Sequence, residues 1–162
     1  KIDPLVINFG GNAAQLTSQR FKFDLDSDGQ TDEINFVTGG SGFIALDRNG
    51  DGKINNGAEL FGAKSGDGFA ELATLDSDNN GWIDENDAAY EKLSVWTKDS
   101  AGKDQLSTLK EANVGAISLA RVATPFELKD SRNHQQGEIR ATGIYLREDG
   151  AAGTIQQIDL TV

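Results

Sequence analysis

Carboxylates recur on alternate positions in three short windows of this chain, each time followed by glycine. The windows read DLDSDGQTDEIN at 24–35, DRNGDGKINNGAE at 47–59 and DSDNNGWIDEND at 76–87, and they hold half of the 26 acidic residues. That spacing suits one chemistry. A Ca²⁺ ion takes about six to eight oxygens, and a loop with oxygen side chains at positions 1, 3 and 5 can wrap it. Glycine at position 6 permits the sharp turn, position 7 offers a backbone carbonyl, and an acid at position 12 closes the shell. Asp, Asn and Gly also make plain surface turns. Three windows with this order, two of them with a hydrophobe at position 8 and a late acid, are hard to obtain from turn composition alone.

In the third window the expected ligands are Asp76, Asp78, Asn80, the Trp82 carbonyl and Asp87, with Gly81 at the turn and Ile83 at position 8. In the second they are Asp47, Asn49, Asp51 and the Lys53 carbonyl, with Gly52 and Ile54 following the same order. Its closing acid, Glu59, comes one residue late, which reads as a loop with one extra residue. In the first window Asp24, Asp26, Asp28 and the Gln30 carbonyl fit, but position 8 is Thr31 and position 12 is Asn35. Asp32 or Glu33 is left to close that shell. Two or three Ca²⁺ ions are expected. Mg²⁺ suits these loops less well, because it prefers few protein ligands and retained water. Without metal the clusters should repel themselves and loosen the fold.

A second piece of chemistry sits at Asp3-Pro4. An aspartate side chain can attack its own carbonyl, and a proline nitrogen leaves more readily than an ordinary amide. A fold that orients Asp3 would accelerate this by proximity. The plainer reading is a strand entry stiffened by proline.

Other chemistries are excluded or weak. The chain has 26 acids against 15 bases, a net charge of −11, and so lacks the basic face of a nucleic-acid binder. The same balance argues against adhesion to an anionic membrane. No apolar run approaches the roughly 18 residues of a spanning helix, so this domain is not expected to insert into a membrane. Cysteine is absent, which removes disulfides, thiolate zinc and cysteine nucleophiles. The single histidine, His134, lies in a polar SRNHQQG stretch and reads as a solvated loop residue. No Ser-His-Asp set can be argued around it. The GGSG run at 39–42 lacks the lysine of a phosphate-binding loop. Trp82, Trp96 and the eight phenylalanines read mainly as core rather than as a sugar platform.

The elements that would position these groups follow from the hydrophobic pattern. At 162 residues the chain is expected to form one domain, 1–162, able to bury roughly 70% of its unfolded surface. It begins with lysine and contains no methionine, so it is expected to be a piece of something longer. Strands are expected at 4–9, 21–23, 34–37 and 42–46, which makes the first window a β-hairpin calcium loop. Residues 58–61 read as one helical turn. Phe69, Leu72 and Ala73 sit at helical spacing, and Ala89, Leu93 and Trp96 form an i, i+4, i+7 stripe with Asp84 as N-cap. Loops two and three therefore read as an EF-hand-like helix–loop–helix pair whose Ile54 and Ile83 meet in a short strand contact. A further helix is expected at 105–112. Alternation returns at 117–122, 126–129, 138–147 and 154–162, with a closing hairpin turn at 148–150. The predicted fold class is α+β, with a central EF-hand-like helix-loop-helix pair, β-hairpins at both ends and a β-hairpin calcium loop.

The runs DPLV, FDLDSDG, GFIALDRNGDGKINNGAELFG, LATLDSDNNGWID and LSVW resemble the calcium-binding module of bacterial RTX (hemolysin-type) adhesins and toxins. They are most similar to the self-processing module of FrpC-type RTX proteins. The likeness runs from Asp3 to about Leu119, and more loosely to the end. It implies a secreted or cell-surface module that folds on external calcium, with neighbouring domains of a larger chain, and in an adhesin a cell-surface ligand, as partners. It also implies, for self-processing members, calcium-triggered cleavage of an Asp-Pro bond, here Asp3-Pro4, after which the new aspartyl end can be joined to a lysine amine. After DPLV the family usually reads LDLDGDG, whereas this chain has INFGGNA. A metal site next to Asp3-Pro4 is therefore not expected.

Overall fold

A computed structural model describes residues 3–162. Its strands are β1 (Leu5–Asn8), β2 (Leu16–Phe23), β3 (Asp32–Val37), β4 (Ser41–Leu46), β5 (Trp82–Asp84), β6 (Leu93–Lys98), β7 (Asp104–Thr108), β8 (Val114–Lys129), β9 (Gln135–Arg147) and β10 (Ala152–Leu160). The helix α1 (Gly68–Ala73) is capped by the Asp67 side chain, which accepts from Ala70 N–H. Eight strands form a single sheet in the order β5-β8-β9-β10-β1-β4-β6-β7, and β2 pairs with β3 as a separate antiparallel hairpin. Every pairing in both sheets is antiparallel. No helix among the described residues is long and apolar enough to cross a membrane.

The central strands are buried on both faces, so their sequences read as near-continuous apolar runs rather than as alternation. Val6, Phe43, Ala45 and Trp96 point to one face and pack with Phe23, Leu25, Ile34 and Phe36 of the β2–β3 hairpin. Leu5, Ile7, Ile44 and Val95 point to the other face and pack with Phe61, and with Phe69 and Leu72 of α1. Trp96 is the hub of the first core. Its ring centroid lies 5.1 Å from that of Phe36, nearly edge-on at 78°, and 5.1 Å from that of Phe23. Such aromatic pairs add about 0.5–1.5 kcal/mol each beyond the area they bury.

With ten strands and a single α-helix among the described residues, this architecture is mostly β, and it overturns both the expected α+β class and the EF-hand-like helix pair. The stripe Ala89, Leu93, Trp96 spans a short 3₁₀ turn (Tyr90–Lys92) and then β6. Residues 105–112 form β7 and a turn rather than a helix. The physical reason lies in what flanks β6. It pairs with β4 on one side and β7 on the other, so its backbone groups are taken up by neighbours. Leu93 and Val95 enter one core while Trp96 enters the other, a two-sided placement that strand geometry supplies and a helical stripe does not. Ile54 and Ile83 likewise do not meet. Ile83 pairs with Ile117 of β8, and Ile54 belongs to the opposite core. The strands expected at both ends and the hairpin around the first window are present.

Because Trp96 joins four phenylalanines in one cluster, Trp96→Ala is expected to cost about 3–5 kcal/mol. Urea denaturation in calcium-containing buffer would measure this.

Candidate metal centres and the Asp3-Pro4 step

Each acidic window folds into a loop whose first aspartate collects backbone N–H groups from its own turn. The Asp24 carboxylate accepts from Asp28 N–H and Gly29 N–H, both at 3.0 Å. The Asp47 carboxylate accepts from Gly50, Asp51 and Gly52, the last at 2.7 Å. The Asp76 carboxylate accepts from Asn80 N–H and Gly81 N–H, at 3.3 and 2.9 Å. Position 5 repeats the pattern two residues on: Asp28 accepts from Gln30, Asp51 from Lys53 and Asn80 from Trp82. Asx-type turns of this kind hold the oxygens of positions 1, 3 and 5 toward a common centre.

The closing acids separate the loops. Asp87 accepts from Ser77 N–H at 2.8 Å and from Asp84 N–H at 2.9 Å, which are loop positions 2 and 9. Glu59 accepts from Arg48 N–H at 3.1 Å and Asn55 N–H at 2.7 Å, again positions 2 and 9. Although Glu59 arrives one residue later, its carboxylate has the same two partners. The extra residue is accommodated in a 3₁₀ turn at Gly57–Glu59. Both closing acids are buried. The first loop has no counterpart of this kind. Asn35 donates to the Thr17 carbonyl, and Asp32 stands in β3 opposite Phe23.

Three carboxylate clusters result: Asp24, Asp26 and Asp28; Asp47, Asp51 and Glu59; Asp76, Asp78 and Asp87. Within each, one oxygen per residue lies within 4.8 Å of the others. At that separation two unit charges repel by about 1 kcal/mol in water and about 3 kcal/mol at an effective dielectric near 20. Within the clusters, desolvation and neighbouring charge act against hydrogen bonding, and the carboxyls shift in both directions. Desolvation, then the charges of Asp28, Asp32 and Asp24, raise the Asp26 carboxyl against the opposing Asp28 N–H. Desolvation, the Asp76 side chain and the Asp87 and Asp84 charges raise Asp78. Asp51 is lowered, first by the Lys53 N–H and further by the Asn55 and Asn49 side chains. For Asp87 desolvation acts upward, but the N–H groups of Asp84 and Ser77 and the Ser77 hydroxyl outweigh it and hold the carboxyl down. A divalent cation would relieve the repulsion. The donor set, all carboxylate, amide and carbonyl oxygen with no nitrogen or sulfur, fits Ca²⁺.

The loops pair differently from the expectation. The first two are joined to each other: Gly57 N–H donates to the Asp24 carbonyl at 2.8 Å, and Ala58 N–H to Ser27 Oγ at 2.9 Å. A side chain at Gly57 would place its Cβ 1.6 Å from the Leu25 carbonyl oxygen, so only glycine permits the contact. The third loop is separate and feeds β5 onto β8. Ser27, Asn56 and Gly57 were not singled out from the sequence, where they read as ordinary loop residues.

The second loop also leads to Asp3. Three residues after Glu59 the chain reaches Gly62, whose carbonyl accepts from Asp3 N–H at 3.3 Å, while the Phe61 carbonyl accepts from Leu5 N–H at 2.9 Å. On the other side Pro4 O accepts from Ile158 N–H at 3.0 Å. Asp3 is thereby buried at 1% exposure. Gly62 has φ +92°, and a Cβ there would fall 2.1 Å from the Asp3 carbonyl oxygen. His134, by contrast, is an exposed turn residue beside Asp130.

Residues 5–161 match the SPM domain. The chain is also similar to the iron-regulated protein FrpA of Neisseria meningitidis serogroup C, at 32% identity over 166 residues covering 91% of this chain. It spans 14% of that relative's length. Matched from β1 to the end of β10, the chain belongs to the SPM domain family.

Proposed function

We propose that this chain is a calcium-binding structural module of a larger secreted or surface-exposed RTX-type protein, ordered by Ca²⁺ outside the cell. The observation that carries this reading is the shared wiring of Glu59 and Asp87, each closing an oxygen-only cluster through loop positions 2 and 9. Asp47, Asn49, Asp51, the Lys53 carbonyl and Glu59 would hold one ion. Asp76, Asp78, Asn80, the Trp82 carbonyl and Asp87 would hold another. Asp24, Asp26, Asp28 and the Gln30 carbonyl would hold a third, less completely closed. Bound calcium supplies positive charge that cancels the repulsion within each cluster. Extracellular modules of this loop type bind with Kd of roughly 10⁻⁴–10⁻³ M. Such weak sites stay empty in a cytosol poor in calcium and fill outside, so that folding follows export. Neighbouring domains of the longer chain are the natural partners.

A second reading, self-processing at Asp3-Pro4, is favoured by the burial of Asp3 against Gly62, three residues from Glu59. In this reaction an Asp3 carboxyl oxygen bonds to the Asp3 carbonyl carbon, and the bond from that carbon to Pro4 N breaks. The carboxyl proton passes to the proline nitrogen, leaving a five-membered anhydride. Water opens it to an aspartyl terminus, or a lysine amine opens it to an amide. Ordering of the second loop would fix Phe61 and Gly62, and with them the strand entry that carries the scissile bond.

Calorimetric titration of the chelator-treated chain should give two or three Ca²⁺ equivalents and a rise in melting temperature. Absence of heat and of any melting shift would sink the calcium reading. Tb³⁺ in place of Ca²⁺ should luminesce under tryptophan excitation through Trp82, and Asp76→Ala should remove most of that emission. Gly57→Ala is expected to weaken calcium binding at the first two loops while leaving the Trp82 signal intact, because only those loops meet at Gly57. For the second reading, a chain extended upstream of Asp3 should be cut at Asp3-Pro4 on addition of calcium. Asp3→Ala should abolish the cut, as read by mass spectrometry.

A further inference from the structure

Gln157 lies on β10 opposite Leu5 of β1, on the sheet face that otherwise holds Leu5, Ile155, Phe61 and Phe69. It is buried at 7% exposure. An amide in such a place is costly unless its polar atoms are satisfied, and here all of its contacts converge on two segments. Its Oε1 accepts from Gly68 N–H at 3.0 Å. Its Nε2 donates to the Gly66 carbonyl at 2.7 Å and to Asp3 Oδ2 at 3.3 Å. These partners fix the amide orientation, since a flipped group would set its oxygen against a carbonyl and a carboxylate and its NH₂ against an N–H donor. A β-bulge follows at Gln157/Ile158, where Ile158 N–H turns to the Pro4 carbonyl. One short stretch of β10 thus touches both sides of the Asp3-Pro4 step.

We infer that Gln157 is a positioning residue for the Asp3 carboxyl in cleavage of the Asp3-Pro4 bond, an inference that rests on the self-processing reading. A carboxyl that attacks its own backbone carbonyl gains rate only when its side-chain rotation is restricted, because the advantage is one of proximity and orientation. The Nε2 donor supplies that restriction at Oδ2. The same amide is anchored to Gly66 and Gly68, on the segment that runs on from Glu59 through Gly62. Glu71 braces this segment by accepting from Gly62 N–H at 2.7 Å and from Ser65 Oγ. Gln157 therefore ties the reacting group to the portion of chain that the second loop orders.

The test uses a chain extended upstream of Asp3 and follows first-order cleavage at saturating CaCl₂ by mass spectrometry. Tryptophan emission against calcium concentration gives the folding midpoint. Gln157→Leu removes the amide. Gln157→Glu keeps the bulk and an acceptor for Gly68 N–H but removes the donor to Asp3. Both are expected to lower the saturating cleavage rate tenfold or more, with the calcium midpoint within twofold of the parent. Cleavage by both variants at the parent's rate overturns the inference. A rate that falls only in step with a displaced calcium midpoint also overturns it, and leaves Gln157 as a brace of the 66–68 turn. A parent chain left uncut by calcium removes the self-processing reading and this inference with it, so the two failures are distinct.

Discussion

In each acidic loop the backbone N–H groups of a tight turn draw like-charged carboxylates to within 4.8 Å of one another. Those bonds and that repulsion act on the same few residues, so the loops are held by their turns and strained by their charge at once. Glu59 and Asp87 are where the balance is set. Each is buried, each takes two backbone N–H groups, and each stands where its loop rejoins the rest of the chain. A cation in the cluster would offset that repulsion.

The double-faced sheet places the acidic loops beside elements that cover both of its faces. The β2–β3 hairpin that carries the first loop covers one face, through Phe23, Leu25, Ile34 and Phe36. The third loop and the segments flanking it lie on the other, where Leu72, Ile83 and Tyr90 join the second core. Each loop is therefore joined to segments that cover one side of the same central strands. The second loop bridges the two faces. It is bonded to the first loop at Gly57, and its exit through Phe61 and Gly62 enters the second core and meets the start of β1. Asp3 is buried as a result of this docking, and the Asp3-Pro4 step lies between the exit of the second loop and β10.

Local order was easily legible where the residues interact with near neighbours. Asx turns span two to five residues, so the acidic loops and the oxygen side chains at their first, third and fifth positions are legible from spacing alone, and the late Glu59 does join the cluster of Asp47 and Asp51. The terminal strands are legible as well, although the two runs expected at 117–122 and 126–129 form one strand, β8. Residues 89–112 were misread because LSVWTK satisfies a helical stripe and a strand equally well over so short a span. What decided it was the open edge of β4, which needs a pairing strand, together with cores on both sides of that strand. The partnership of the loops was misread as well. Position-8 hydrophobes suggested that loops two and three would join, but Ile83 found Ile117, more than thirty residues further along.

By itself the sequence determined the oxygen chemistry of three loops and the fragile character of the Asp3-Pro4 bond, because both are properties of residues adjacent in the chain. Only the tertiary structure decided that the first loop joins the second, that Gly62 packs against the Asp3 carbonyl, and that Gln157 reaches the Asp3 carboxyl from the far end of the chain. Those contacts depend on which strands lie side by side in the eight-stranded sheet and on how the β2–β3 hairpin packs against it. Strand order is settled by the burial of two opposed cores and the pairing of every central backbone edge, neither of which leaves a local mark on the residues involved.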